Sequence, residues 1–412
     1  MSGRVVVTGL GAVTAVGHTA EETWQAMLAG RSGIGPITLF DPEPYPVRIQ
    51  AEVKDFALGN RVDAKQQRYM NRGVTFGVSA ALEALADSGL KISEENADMI
   101  GVVFSSGGGG TDLVIEYQHI LEQKGPRRIT PFLVANFIPD AVSGHIAIAT
   151  GARGPNMAVV SACATGGASL GEAFEVVKRG DATAIIAGSS EGVLLPLYHA
   201  TWCSMRALAG DNEHPQKALK PFDLNRDGFI AGEGGAGMII EDYDHARARG
   251  ARIYCEVIGY GSSNDAYDMI ALHETGRGLK RAVNAAIRKA AIDPSEINYI
   301  NPHGSGTPLN DRVETMVFKE IMGRAAYNAA ISSVKPITGH CMGASGSVEA
   351  LACVMAIRDQ QVPPTINYTT PDPECDLDYV PNVARKQPVR IAMTTSVGLG
   401  GHNSCVIFKQ IN

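Results

Sequence analysis

Met157-Ala-Val-Val-Ser-Ala-Cys-Ala-Thr-Gly-Gly167 carries an apolar run of strand character straight into small residues that begin a helix. The run predicts a strand over Met157 to Val160 that delivers the Cys163 sulfur to a helix N-terminus. Unpaired N–H groups and the helix dipole there favour negative charge, so the expectation is a thiol with a lowered pKa. The helix reads clearly: Leu170, Ala173, Phe174 and Val177 fall at i, i+3, i+4 and i+7, and Lys178, Arg179 and Gly180 close it. A lone cysteine is more often a small core hydrophobe than a nucleophile. Two histidines further along reverse that weighting.

His303 lies in Tyr299-Ile-Asn-Pro-His-Gly-Ser-Gly-Thr307 and His340 in Ser333-Val-Lys-Pro-Ile-Thr-Gly-His-Cys-Met-Gly343. Each follows a short apolar run and is flanked by small residues, so each is expected on a loop at a strand end, where open α/β sheets place their chemistry. A shift of 177 residues lays Cys163 on His340, Gly166 on Gly343, Glu172 on Glu349 and Ala173 on Ala350. This weak repeat implies two copies of one strand-turn-helix unit whose turns pack together. The strand pattern of Val5 to Gly9 restarts at Ile253-Tyr-Cys-Glu-Val-Ile-Gly259, after the polar Asp242-Tyr-Asp-His-Ala-Arg-Ala-Arg-Gly250. The halves are therefore drawn at 1–250 and 251–412, with no linker long enough to let them fold apart.

With Arg4-Val-Val-Val-Thr-Gly9 and Pro221-Phe-Asp-Leu-Asn-Arg-Asp-Gly-Phe229, these stretches resemble the β-ketoacyl-acyl carrier protein synthases of the thiolase-like superfamily. The resemblance spans nearly the whole chain. It rests on a cysteine, a histidine in an HGxxT loop and a lysine five residues before a second histidine in KxxxGH, in that order. It implies an α/β, five-layered αβαβα fold made of two duplicated halves, in which the long stretches 31–70 and 111–136 cap the active site and build a dimer interface.

Composition sets bounds. The chain has 412 residues, 45% hydrophobic, with 46 glycines, enough for a core larger than one ordinary domain. No run of about 18 or more apolar residues occurs and the first residues lead into a strand, so neither a membrane span nor a signal peptide is expected, and the location expected is cytoplasmic. Seven cysteines without CxxC spacing argue against a disulfide framework and a zinc site. Gly9-Leu-Gly11 lacks the third glycine of a dinucleotide fingerprint because Thr14 stands there, and no lysine follows Gly107 to Gly110 as a P-loop needs. Asp223-x-Asn225-x-Asp227-Gly228 begins like a calcium loop, yet position twelve is Gly234, so it reads as a structural turn. A net charge of −7 disfavours nucleic acid.

The resemblance assigns roles. Cys163 is the nucleophile for an acyl group on phosphopantetheine, and the backbone N–H groups of Cys163 and Leu399 form the oxyanion hole. His303 and His340 stabilise the enolate left when a malonyl-carrier thioester loses CO2. Lys335 and Glu349 form a buried pair behind them. Ser305 and Thr307 offer hydroxyls to pantetheine, with loop capping the plain alternative. No cofactor of its own is implied, and substrates arrive on an acyl carrier protein. Lys65, Arg68 and Arg72 at helical spacing, with Arg127, Arg128 and Arg206, are candidates for a basic rim that meets this acidic partner, although any one of them equally suits a solvated helix face.

Two branches of the family remain open. Gly125-Pro-Arg-Arg-Ile-Thr-Pro131 and Val160-Ser-Ala-Cys-Ala-Thr-Gly166 look like the fatty-acid synthase II enzymes. His303-Gly-Ser-Gly-Thr307, Asn310-Asp-Arg-Val-Glu-Thr315, Pro373-Glu-Cys-Asp-Leu-Asp-Tyr-Val-Pro381 and Thr394-Thr-Ser-Val-Gly-Leu-Gly-Gly401 look more like the ketosynthase subunit of type II polyketide synthases. The balance tilts slightly toward the polyketide role, with a homodimer or a heterodimer with a cysteine-less chain-length factor as the assembly. In the acyl pocket, Gly108 stands for a bulky aliphatic and is expected to free volume, Trp202 replaces a smaller aromatic and Leu399 replaces a gating phenylalanine. Pro302 fixes the backbone before His303 and is a candidate to tilt that imidazole. Cys163 argues against a non-catalytic chain-length factor, and Cys341 beside His340 keeps a thiolase in view.

Overall fold

In the computed structural model, which describes residues 3–411, strand β1 (Val5–Thr14) is buried at every position, as a strand covered on both faces must be. With it the main sheet contains β2 (Ile100–Ser105), β3 (Asn156–Met157), β4 (Ala184–Glu191), β5 (Gly234–Asp242), β6 (Cys255–Asn264), β7 (Tyr299–Asn301), β8 (Ala330–Ile331), β9 (Ile391–Gly398) and β10 (His402–Lys409). They hydrogen-bond in the order β8-β7-β9-β10-β6-β1-β5-β4-β2-β3. The join at β1 and β6 pairs only Val5–Val7. On either side of it, β3-β2-β4-β5-β1 and β8-β7-β9-β10-β6 are one arrangement, advanced by five strands. The duplication is visible in the topology itself.

Five helices complete the layers: α1 (Arg72–Ser88), α2 (Thr165–Arg179), α3 (Arg277–Ala290), α4 (Pro308–Met322) and α5 (Ser345–Asp359). Helices α2 and α5 lie between the two half-sheets and touch strands of both; α1 covers the outer face of one half, α3 the outer face of the other, with α4 packed against α3. This is the five-layered αβαβα fold. Close approach in the outer layers is permitted by repeated glycines. A Cβ on Gly9 or Gly11 would sit 2.0 or 2.1 Å from carbonyls of α1, and one on Gly259 or Gly261 2.4 or 2.1 Å from carbonyls of α3. The Gly9-Leu-Gly11 pair thus serves helix packing.

Helices α2 and α5 correct the register of the repeat. Each is fifteen residues long and follows a single 3-10 turn that opens on a non-glycine residue with positive φ, Ala162 (51°) and Met342 (47°). These elbows set the offset at 180 residues, not 177, so Cys163 is equivalent to Gly343 and His340 precedes the second elbow. The 177-residue shift matched side chains, whereas the backbone bend sets the true register. Packing across the pseudo-twofold agrees: a Cβ on Gly166 would meet the Ser347 N at 2.4 Å, and one on Gly346 the Gly167 N at 2.5 Å.

The strand expected over Met157 to Val160 is shorter. Only Asn156 and Met157 pair, with Val102 and Val103. Beyond them side-chain hydroxyls replace the ladder: the Val159 N–H donates to Ser105 Oγ (2.8 Å) and the Ser161 N–H to Thr165 Oγ1 (2.9 Å). The calcium-like stretch is a structural turn, since Asp223 accepts the N–H groups of Asn225, Thr369 and Thr370 at 2.8, 2.6 and 2.6 Å. Among the described residues no helix is long and apolar enough to cross a membrane.

Candidate active site

Both elbows, the loop after β7 and the turn after β9 converge on one pocket of about 270 Å³, whose wall includes Cys163, His303, His340, Trp202, Met342 and Leu399. The bend at Ala162 turns the chain so that Cys163 stands in the single 3-10 turn before α2, with its side chain on the pocket. The Leu399 amide, at the head of the turn after β9, stands beside the Cys163 sulfur and favours its thiolate.

The thiol is not lowered. Burial pushes Cys163 up to about 11, with Glu191 and Glu349 adding to the effect and Lys335 opposing it. Against the lowering that a helix N-terminus predicts, burial is the largest influence on this thiol and acts in the opposite direction. At neutral pH Cys163 is therefore held as a thiol. With the thiolate form growing up to a pKa near 11, alkylation of Cys163 by iodoacetamide is expected to rise about tenfold per pH unit from 7 to 9. A rate that levels off below pH 8 contradicts this.

The two imidazoles meet edge to face, ring centres 5.2 Å apart. Both are held well below the usual histidine range, first by burial and then by the Lys335 charge, so they are neutral at pH 7. His340 Nδ1 bonds the Ser345 hydroxyl at 2.8 Å, which leaves Nε2 for the pocket. With the serine donating, Nε2 carries the proton.

Behind them the Lys335 ammonium donates to Glu349 Oε1 and to the His303 carbonyl. Both side chains of this pair are almost fully buried. Glu314, on α4, completes the cradle. Its Oε1 accepts the His303 N–H and its Oε2 the Gly304 N–H, each at 2.7 Å, and Asn310 Nδ2 adds a bond at 2.8 Å. Burial raises this carboxyl to about 7. Ser305 and Thr307 line the pocket mouth with hydroxyls 3.1 Å apart. Thr307 occupies the N-cap position of α4 without bonding the helix, so its hydroxyl is not used as a cap.

The family models agree with this geometry across both halves. The β-ketoacyl synthase N-terminal domain matches residues 2–246 and the β-ketoacyl synthase C-terminal domain residues 254–369. The chain belongs to the β-ketoacyl synthase family. It is a β-ketoacyl-ACP synthase, an acyltransferase that condenses acyl units. A 3-oxoacyl-[acyl-carrier-protein] synthase 2 of Synechocystis is 46% identical over 99% of this chain and 98% of its own. That of Staphylococcus aureus is 44% identical over the same shares. Among solved structures, a type II PKS acyl-carrier protein in complex with its ketosynthase bound to the hexaketide matches with TM-score 0.90 at 33% identity, covering 99% of each chain. A β-ketoacyl synthase from Burkholderia phymatum matches with TM-score 0.92 at 31% identity, covering 99% of this chain and 100% of its own.

Two of the synthase's expected features are corrected. Gly108 does not line the pocket or open volume in it, because a Cβ there would sit 2.4 Å from Val193 Cγ1; a neighbouring side chain has taken the space. Arg72 is not a rim cation. Its guanidinium pairs with the buried Glu233, the Nε–H at 2.7 Å, and donates to the Val53 carbonyl. Lys65, Arg68, Arg127, Arg128 and Arg206 are exposed. Arg206 follows pocket-lining Met205, whereas Lys65 borders a separate groove with Tyr69, Phe132 and Ile148. Glu314 and Asn310 went unassigned at the sequence level, although their i, i+4 spacing on one helix was the available signal.

Proposed function

We propose that this synthase extends saturated fatty acyl chains by two carbons per condensation, taking acyl and malonyl groups from acyl carrier protein. What carries the proposal is the placing of Cys163, the Leu399 N–H and two neutral imidazoles on one pocket. The Cys163 sulfur attacks the acyl thioester, the tetrahedral oxyanion takes the Cys163 and Leu399 N–H groups, and the pantetheine sulfur leaves with the thiol proton. One such donor is worth about 2.7–4 kcal/mol to a tetrahedral transition state. In the second half-reaction the bond to the malonyl carboxylate breaks and CO2 departs. The electron pair becomes an enolate whose oxygen accepts from His303 and His340, and its carbon attacks the acyl-Cys163 carbonyl; the carbon–sulfur bond breaks and the released sulfur takes a proton from water to restore the thiol. Ser305 and Thr307 hold pantetheine amides.

The fatty-acid branch is supported by the 46% and 44% identity to 3-oxoacyl-[acyl-carrier-protein] synthase 2 enzymes, against 33% to the polyketide ketosynthase. It replaces the slight tilt toward polyketides that a few local segments gave. A thiolase is disfavoured because Cys341 is buried outside the pocket wall, its thiol pushed up to about 12. A second chain, an identical copy or a cysteine-less homologue, fits the exposed edge at β3 and the uncovered Phe132, Val134 and Ile148. The halves 1–250 and 251–412 act as one unit, because the pocket draws on both.

The test is to supply the purified enzyme with saturated acyl carriers and malonyl carrier and read product mass. A 3-oxoacyl product two carbons longer supports the proposal. Inactivity alone, relieved by a cysteine-less homologue with release of longer polyketones, transfers the protein to the polyketide branch.

A further inference from the structure

Glu191, the last residue of β4, takes no part in that mechanism, yet it is fully buried and has no cationic partner among the described residues. Instead its carboxylate collects four donors. Ser106 Oγ–H and the Gly108 N–H reach Oε1 at 2.6 and 3.1 Å; the Gly107 and Gly343 N–H groups reach Oε2 at 2.9 and 3.1 Å. Gly343 is the residue equivalent to Cys163. By the same duplication, Glu191 at the end of β4 corresponds to Gly398 at the end of β9, and a Cβ on Gly398 would lie 3.0 Å from the Cys163 N. One half keeps the place beside its elbow free of a side chain, leaving the amide for substrate. The other half fills it with a carboxylate.

We propose that Glu191 is a positioning residue for condensation: it occupies the second elbow as an oxyanion would occupy the first, and fixes both elbows relative to one another. On one side it holds Gly343 and hence Met342, which lines the pocket and has a positive φ that a non-glycine residue keeps only when its surroundings enforce it. On the other it holds Gly107, where a Cβ would come 3.5 Å from the Ala162 carbonyl of the nucleophile elbow. All four lone-pair directions are matched by donors, so a neutral amide cannot replace the carboxylate: its NH2 would face two of them. The carboxylate also adds to the raised pKa of Cys163, beside Glu349 and against Lys335.

The proposal rests on Cys163 being the acylated residue, so acylation and malonyl-carrier decarboxylation are followed separately in wild type, Glu191→Gln and Ser106→Ala. Glu191→Gln is expected to slow decarboxylation at least tenfold and to move the iodoacetamide profile of Cys163 toward lower pH. Ser106→Ala, which loses one donor but keeps the carboxylate, is expected to slow decarboxylation a few-fold without moving the alkylation profile toward lower pH. A folded Glu191→Gln enzyme with both steps within twofold of wild type overturns the proposal, as does a loss of thermal midpoint with the alkylation profile unmoved. Should Glu191→Gln fail to fold, Ser106→Ala decides: a wild-type decarboxylation rate overturns it. Wild type lacking acylation at Cys163 fails the underlying reading; normal wild-type acylation beside unchanged variants fails only the Glu191 proposal.

Discussion

Replacing Cys163 by alanine is expected to lower condensation by at least about a thousandfold while malonyl-carrier decarboxylation continues. The two effects separate because the residues that serve them are separate. Cys163 is the thiol on the pocket wall beside the Leu399 amide, and in the proposed mechanism its loss turns two manageable steps back into one difficult one. The imidazoles of His303 and His340, the Lys335–Glu349 pair and the Glu314 cradle do not depend on the sulfur for their positions. The two imidazoles therefore stay on the pocket wall, where the proposed mechanism uses them. Intact-mass measurement checks the first effect as loss of the acyl-enzyme adduct, and CO2 release from malonyl carrier checks the second. An alanine variant that still forms 3-oxoacyl product removes Cys163 from the mechanism. One that loses decarboxylation equally would mean that the thiol orders the imidazoles.

What was legible in the sequence is what local pattern encodes. The helix after Cys163 has an apolar face at 3.6 spacing and a glycine stop, and the structure ends it at Arg179 with Gly180 left-handed. The histidine loops announce themselves by small residues after short apolar runs. Illegible was whatever depends on distant packing. The rise of the Cys163 thiol to about 11 is a burial effect, and no neighbour in sequence reports burial. Gly108 suggested free volume, yet Val193 fills it. Arg72 stands in a basic helical pattern, but its partner Glu233 is 161 residues away. Glu191 binds mostly backbone amides, which every residue but proline possesses, so no side-chain motif marks it; Glu314 divides its bonds between two backbone amides and the side chains of Asn310 and Thr395, and only the Asn310 spacing is local. The register of the duplication was misread for a related reason: Ala162 and Met342 share a backbone conformation and nothing in their side chains.

Lys335→Ala is expected to cost stability and catalysis together, and a second variant separates the two. The ammonium is buried between Glu349 and the His303 carbonyl. Its removal leaves the Glu349 carboxylate without a cation, and the other oxygen of that group already has no partner; the loss is on the order of 3–5 kcal/mol. The glutamate, raised already by burial, moves further upward, and His303 and His340 lose the positive charge that helps to keep them neutral. Decarboxylation is expected to fall about a hundredfold, as loss of a positioned group commonly costs. In Lys335→Met with Glu349→Leu both charges are gone and the volume is largely kept. Such a replacement of a buried pair is often neutral for stability, so the thermal midpoint is expected to return near wild type. Activity is not, because the His303 carbonyl still lacks its anchor. Calorimetry beside CO2 release tells the cases apart: a double variant that regains both would reduce the pair to a structural filler, and a Lys335→Ala enzyme with an unchanged midpoint would show that Glu349 simply takes up a proton.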